Sequence, residues 1–323
     1  MQRSTVQLVR SWLSQLWLLG LCSISLVGCT LSDNASPGLP SGRDAPSPEL
    51  AFPGEKGVIK QVLLTTPAGD TLLTYEEIQG RAVFQGDIIL PVTGGDPLAG
   101  LVSPGTGRIA DSSYWPDNTV YYEIADELPN QQRVHDAIAH WEAHTELRFV
   151  PAKRTTTHYV RFVPGAGCSS YVGRMEAPWQ PQEITLADGC TTGITIHEIG
   201  HAIGLWHEQS RTDRDEHAVV LWQNIEDGMA FAFQTYIEQG FDGFDHGAYD
   251  FDSIMHYGSY FFSANGEPTI TKMDGSTLVG YRDDLSEGDI AIALQMYPPP
   301  PPPPSRPPPP SRPPPQRPPP PRL

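Results

Sequence analysis

The segment HEIGHAIGLWH at residues 197–207 constrains this chain more than any other stretch of its sequence. His197 and His201 are four residues apart, about one turn of an α-helix, so both imidazoles project from one face and can share a metal ion. Gly204 follows, and a glycine can adopt the positive φ that ends a helix and turns the chain sharply. His207 can then return to the same ion. The segment therefore predicts a helix, a sharp turn and a three-histidine metal centre.

Glu198 lies beside the first histidine, angled toward the open side of that ion. Zinc bound by neutral imidazoles lowers the pKa of a bound water to about 7. A carboxylate within reach can take the proton of that water and hand it to a leaving amine. The H-E-x-x-H pattern is typical of peptide hydrolysis by this route, so Glu198 is the predicted general base. The alternative is an ordinary helix whose histidines bind nothing.

Two further features disfavour that alternative. Gly204 and His207 complete the longer pattern H-E-x-x-H-x-x-G-x-x-H, which is typical of the metzincin peptidases. Those peptidases also carry a Met-turn, and the sequence has Ser-Ile-Met-His-Tyr at residues 253–257. The combined pattern predicts a zinc peptidase of the metzincin type.

Within the metzincins, the chain resembles the astacin family over about residues 114–297. The matching segments are HEQSRTDRD (207–215), GCSSYVGR (167–174), ITLADGC (184–190), YDFDSIMHYGSYFFS (249–263) and the LS..D start of the last helix (285–289). The resemblance implies an α+β, two-lobed metzincin-type zinc peptidase. Its N-terminal lobe would hold a twisted sheet with two helices, and its C-terminal lobe few regular elements and a final helix. It also implies one zinc ion per chain and protein or peptide substrates.

The same resemblance assigns roles to three further residues. Tyr257 would be an additional zinc ligand that can swing off the metal and donate a hydrogen bond to a developing oxyanion. Met255 would pack beneath the histidines without binding the metal. Glu208 would lie outside the ligand set and be linked to the N-terminus of the mature enzyme.

The leading segment, residues 55–107, contains Phe84-Gln85-Gly86-Asp87. This stretch resembles the F-x-G-D motif of the family, in which an aspartate of the pro-segment binds the zinc and displaces the water. The resemblance implies a zymogen with Asp87 as the ligand of the latent form; the alternative is an ordinary Gly-Asp turn. Activation would cut between Ile88 and Trp115. Arg108 is the only basic residue there, so a trypsin-like activator would cut at Arg108, whereas any other activator leaves the site open; the predicted catalytic domain is 108–297.

Residues 1–28 are predicted to be a signal peptide rather than part of the fold. Arg3 and Arg10 form a basic start, and the apolar stretch that follows is short for a membrane span. The stretch ends in Leu-Val-Gly-Cys, which resembles the bacterial lipobox, so Cys29 is the predicted lipidation site; a plain secretory signal is the alternative. Both export the protein. A lipoprotein would be held at a membrane of the bacterial cell envelope, and Thr30 after the cysteine favours the outer membrane.

The remaining cysteines, Cys168 and Cys190, most simply form one disulfide in an exported chain. The entropy model assigns about 3 kcal/mol to a loop of this size. Animal members of the family usually carry a second disulfide near the C-terminus of the domain, and this chain has no cysteines for it.

Both ends of the chain are predicted to lie outside the folded domains. Residues 29–54 are rich in Ser, Pro and Gly, which is typical of a flexible tether. Residues 298–323 are mostly proline and predict an extended polyproline II rod. Two alternatives stay open for this tail: a spacer or surface-binding segment, and a ligand for a proline-recognition module.

Charge and secondary-structure patterns complete the prediction. The net charge is -17, which disfavours nucleic-acid binding because an acidic body repels phosphate. TVYYEIA, LRFVP and HYVRFVP predict strands, and residues 130–145 predict an amphipathic helix that Asn130 can cap. Ser286 with Asp289 three residues later predicts a capping box at the last helix.

Two rival functions stay open. One is a zinc-containing surface binding protein that does not cut, although the intact Glu198 argues against it. The other is a surface interaction protein that acts through residues 298–323.

Overall fold

The computed structural model describes residues 49–66, 69–91, 113–176, 180–241, 243–280 and 282–301. The predicted signal peptide with Cys29, the region around Arg108 and the tail beyond residue 301 lie outside these residues. Within the described part of the chain, no helix has the length and apolar character needed to cross a membrane.

The leading segment forms an antiparallel four-stranded sheet in the order β1-β2-β3-β4. Its strands are β1 (Val58–Thr66), β2 (Gly69–Ile78), β3 (Arg81–Phe84) and β4 (Ile88–Leu90). The tight β3–β4 connection holds the predicted F-x-G-D motif, with Gln85 at φ 49° and Gly86 at φ 88°.

The second sheet belongs to the predicted catalytic domain and has the order β6-β5-β7-β9-β8. Its strands are parallel except for β8, which runs antiparallel to β9 at the edge. They are β5 (Thr119–Ile124), β6 (Arg148–Pro151), β7 (Val160–Val163), β8 (Cys168–Ser169) and β9 (Gln182–Leu186). The predicted strands are thus present, and the α+β class is confirmed.

The described residues form three α-helices beside the sheets: α1 (Gln132–His144), α2 (Thr192–Ile203) and α3 (Glu287–Met296). In the described part of the chain between α2 and α3 there is one small sheet, β10 (Ala218–Val220) with β11 (Ile270–Lys272). Described 3-10 turns are Pro116–Asn118, Glu208–Ser210, Arg214–Glu216, Trp222–Asn224 and Ala230–Phe233. The C-terminal region is therefore as irregular as predicted.

The helix ends test two predictions. The capping box of α3 is confirmed, because Ser286 accepts from the Asp289 N–H and the Asp289 carboxylate accepts from the Ser286 N–H. The predicted cap of α1 is wrong: the N-cap is Gln131, without a side-chain hydrogen bond. Asn130 precedes it at φ 50°, a left-handed turn conformation rather than the extended one that lets a cap side chain reach the first helical amides.

The buried side chains form two main clusters. The first lies between the second sheet and the helices and includes Trp141, Phe162 and the Cys168–Cys190 disulfide. The disulfide was predicted and is confirmed. The second cluster joins the leading sheet to the C-terminal region. Phe84 is fully buried in it, with ring centroids 5.9 Å from Trp206, 6.3 Å from Phe231 and 5.3 Å from Phe241.

Candidate metal centre and catalytic cleft

Helix α2 positions the first half of the predicted site. Its N-terminus is capped by the Thr191 hydroxyl, which accepts from the Ile194 N–H at 3.2 Å. Its C-terminus ends at Gly204, whose φ of 113° gives the sharp turn that the sequence predicted. A β-carbon on Gly200, inside the H-E-x-x-H motif, would lie 2.7 Å from the sulfur of Met255. The glycine therefore lets the Met-turn pack directly beneath the histidine helix.

The structure brings His197, His201, His207 and Asp87 together as four buried potential metal ligands. Asp87 Oδ2 lies 3.2 Å from His197 Nε2 and 3.1 Å from His207 Nε2, and Oδ1 lies 3.8 Å from His201 Nε2. Ligand atoms around a tetrahedral zinc lie roughly 3.3 Å apart, given bonds of about 2.0–2.1 Å. All four donor atoms lie within 4.8 Å of one another, and two of the three Asp87 distances match the zinc spacing, so the residues fit a single zinc ion.

Hydrogen bonds at the far side of each imidazole determine which nitrogen faces the centre. His197 Nδ1 lies 2.8 Å from the Ile254 carbonyl, and His201 Nδ1 lies 2.8 Å from the Leu205 carbonyl. His207 Nδ1 lies 2.9 Å from Oε1 of Gln85. Because an oxygen acceptor requires Nδ1 to carry the proton, each neutral ring directs the lone pair of Nε2 at the centre.

The electrostatics of the site also fit a bound cation. Burial lowers the pKa of His201 to about 4 and lowers that of His207, so both favour the neutral form that binds metal. Burial also opposes the charge on Asp87, but the surrounding histidines outweigh it and hold the pKa of this carboxyl well below its usual range. The pKa of His197 is raised instead, because the effect of the Asp87 carboxylate outweighs the opposing effect of burial. A divalent cation neutralises this buried carboxylate without protonating a ligand.

Glu198 projects toward the centre from the same helix. Its side chain is fully buried, and neither carboxylate oxygen has a hydrogen-bond partner among the described residues. Burial raises its pKa well above the ordinary value, and the charges of Asp87 and Glu49 add to this effect. A carboxyl with a raised pKa and free oxygens is suited to accepting and returning a proton.

Tyr257 lies in the wall of the centre, with its hydroxyl bonded to the leading segment. Its hydroxyl donates to the backbone carbonyl of Gln85 at 2.5 Å, and its ring stacks on Phe261 with centroids 4.5 Å apart. The ring centroid is 4.8 Å from that of His207. The role of Tyr257 as a zinc ligand stays a prediction.

Glu208 lies just outside the ligand set. Its Oε1 accepts from the Asp250 N–H at 2.9 Å and lies 3.3 Å from Arg211. Burial raises the pKa of Glu208 to about 8. The family resemblance links Glu208 to the N-terminus of the mature enzyme. The region where cleavage would create that N-terminus lies outside the described residues, so the link stays a prediction.

The leading segment crosses the cleft along the edge of the catalytic sheet. Ile89 donates to the Ser170 carbonyl at 2.8 Å, and Ser170 donates to the Asp87 carbonyl at 3.1 Å, in a parallel bridge. Residues 49–54, which the sequence placed in the tether, also pack here. Ala51 donates to the Gly86 carbonyl at 2.8 Å and Cys168 donates to the Leu50 carbonyl at 3.0 Å.

Sequence reasoning missed the contacts of Gln85 and of residues 49–51. The signal for Gln85 was its place inside the F-x-G-D motif, although the motif leaves that residue undefined. Residues 49–51 match no motif in the sequence, although Leu50 and Ala51 make backbone hydrogen bonds here and the Glu49 carboxyl interacts with His197 and Asp87.

Comparisons with known proteins agree with this geometry. The family model for the astacin peptidases matches residues 108–298. Blastula protease 10 of Paracentrotus lividus is 40% identical over 233 residues, which cover 66% of this chain and 38% of that protein. Zinc metalloproteinase nas-15 of Caenorhabditis elegans is 34% identical over 235 residues, which cover 68% of this chain and 40% of that protein.

A solved structure is similar as well. High choriolytic enzyme 1, a hatching enzyme zinc-protease of Oryzias latipes, superposes with a TM-score of 0.52 at 30% identity and covers 58% of this chain and 96% of that chain. This chain spans about two fifths of the length of the curated relatives named above. Since the family model matches more than half of its residues, the chain belongs to the astacin family of peptidases.

Proposed function

We propose that the protein is an exported zinc endopeptidase, made as a latent zymogen and held at a bacterial membrane by a lipid on Cys29. The observation that carries the catalytic part is the convergence of three Nε2 lone pairs beside an unpartnered, buried Glu198. The substrates are proteins or peptides, since the family relatives are proteinases by name.

The residues of the site divide the reaction between them. His197, His201 and His207 would hold a zinc ion, which would supply the Lewis acid of the hydrolysis. Glu198 takes the proton of the attacking water and returns it to the leaving amine. Tyr257, once free of the Gln85 carbonyl, donates its hydroxyl to the oxyanion. The peptide lies along the edge strand β8, where its backbone would pair as the leading segment does now.

The latent state follows from the same contacts. Asp87 stands at the fourth position of the centre, within 3.2 Å of two histidine nitrogens. The 84–90 backbone covers the edge of the catalytic sheet at Ser170, so a substrate and the leading segment exclude each other. Removal of the leading segment, by a cut such as one after Arg108, is therefore the activating step.

The two ends of the chain would determine where the protein is held. Lipidation of Cys29 would anchor the enzyme to the cell envelope, with Thr30 favouring the outer membrane, and a plain secretory signal would release it instead. The tail at 298–323 contacts a surface or a binding module. Deleting this tail is expected to leave peptidase activity intact and to change only attachment or partner binding.

Casein cleavage by the trypsin-activated chain tests the function. The wild type is compared with Glu198→Gln, and bound zinc is quantified in both. We expect zinc in both proteins, and at least a 1000-fold lower rate in the variant, within the range for loss of a general base. Zinc in both with no cleavage by either would indicate the non-catalytic binding protein, and equal cleavage by both would remove Glu198 from the mechanism.

A further inference from the structure

We infer that Gln85 is a positioning residue of the latent metal centre: its side chain fixes His207 in the metal-binding tautomer, so the leading segment retains the metal as well as blocking the cleft. The inference extends the proposed zymogen mechanism. It rests on that proposal only in taking the uncut chain as the latent form. It concerns the undefined residue of the F-x-G-D motif, separate from the carboxylate of Asp87.

Gln85 contacts the centre with two different groups. Its side-chain Oε1 lies 2.9 Å from His207 Nδ1, and its backbone carbonyl accepts from the Tyr257 hydroxyl. The side chain is fully buried. One residue therefore holds a metal ligand in place and keeps the oxyanion-binding tyrosine turned away.

The local conformation shows that these contacts are built in. Gln85 has a φ of 49°, in the left-handed region that a residue with a β-carbon disfavours. Its Nε2 has no hydrogen-bond partner among the described residues. Burying a glutamine with an unpartnered amide and a strained backbone lowers the stability of the fold. The contacts of Gln85 with His207 and Tyr257 offset this cost.

The contrast with the other two ligands gives the inference its specificity. The Nδ1 atoms of His197 and His201 are held by carbonyls of residues 254 and 205, inside the catalytic domain. The Nδ1 of His207 is held by the leading segment. Loss of such an outer partner typically lowers metal affinity 10–100-fold. We therefore expect the latent chain to hold zinc more firmly than the activated enzyme.

Zinc release from the exported full chain, with the leading segment uncut, tests this. The protein is incubated with excess EDTA at pH 8, desalted at intervals, and its remaining zinc is quantified. Gln85→Met keeps the length of the side chain and removes the acceptor, and Gln85→Glu keeps an acceptor. Gln79→Met is the matched control, because Gln79 also has a positive φ (51°) but lies exposed in the turn between β2 and β3.

We expect zinc release at least about 10-fold faster from Gln85→Met than from the wild type, with Gln85→Glu and Gln79→Met close to the wild type. Release from Gln85→Met at the wild-type rate overturns the inference. Equal acceleration in Gln85→Met and Gln85→Glu also overturns it, since shape rather than the acceptor would then matter. If Gln85→Met does not fold, Gln85→Ala replaces it.

Two controls separate this inference from the proposed function. Activation removes residue 85, so every variant that folds must yield the same mature enzyme with one common release rate. Asp87→Asn without increased peptidase activity would contradict the aspartate latch, whereas the release rate of Gln85→Met would still decide the role of Gln85.

Discussion

The two halves of the metal centre are held by different parts of the chain. His197 and His201 lie on α2 and are oriented by backbone carbonyls of the catalytic domain. His207 is oriented by Gln85 and faces Asp87, and both of these residues belong to the leading segment. Under the zymogen proposed above, the first half is permanent and the second is removable, because activation would cut away the residues that complete it. The difference teaches that the proposed pro-segment would be part of the metal site as well as a cover over it.

The largest expected effect in this comparison concerns Tyr257, which binds the leading segment here and would bind the oxyanion in the activated enzyme. Tyr257→Phe should lower kcat of the activated enzyme by about 100-fold or more, because one oxyanion donor is lost. Casein or peptide hydrolysis measures this, with Tyr260→Phe as the control, since the Tyr260 side chain is 55% exposed. A change of less than about threefold, small against that donor effect, would leave Tyr257 with a packing role and end its part in the comparison.

Asp87→Asn tests the removable half directly. Removing one partner of a buried charged interaction costs about 3–5 kcal/mol, so peptidase activity of the uncut chain should rise by at least about 100-fold. Hydrolysis before trypsin treatment is the measurement, and Asp70→Asn, on an exposed position of the same sheet, is the control. An uncut variant as silent as the wild type would show that the leading segment inhibits by coverage alone.

A smaller effect is expected from Gly86→Ala, which tests the turn that presents Asp87. Gly86 has a φ of 88°, and a β-carbon there would lie 2.7 Å from the Leu50 side chain and 3.0 Å from that of Phe262. Gly80→Ala is a matched control, because Gly80 has a φ of 78° and open space around it. We expect about 10-fold higher activity of the uncut Gly86 variant, from conformational strain and the clash together. Equal effects of both variants would assign the change to φ alone.

The smallest effect tests the permanent half through His256, beside Met255 in the Met-turn. Burial lowers the pKa of His256 to about 3, below its ordinary 6.5. The unfolded chain therefore binds a proton that the folded chain refuses, and the free energy of unfolding falls as the pH falls from 6.5 toward 3. Urea unfolding in EDTA should show the stability difference between the wild type and His256→Asn shrinking by about 1 kcal/mol between pH 6.5 and 5.5. A constant difference would mean that folding does not lower the pKa of His256.

The sequence predicted the permanent half better than the removable half, for a physical reason. His197, Glu198 and His201 share one helical turn, and Gly204 sets the turn after it, so covalent spacing alone brings them together. Asp87 was found through a family motif. Gln85 contacts a histidine 122 residues away, and residue spacing does not report such a contact. Asn130 was wrongly predicted as a cap because its residue type suits both a cap and a left-handed turn.

The burial of Phe84 has a consequence for the heat capacity of the enzyme. This ring packs between Trp206, Phe231 and Phe241. The activation proposed above would remove the ring and hydrate that space while the enzyme is still folded, so less apolar surface would remain to be exposed on unfolding. The heat-capacity change of unfolding scales with newly exposed apolar surface. The activated enzyme should therefore have a flatter stability curve than its precursor, and its folding will depend less steeply on temperature.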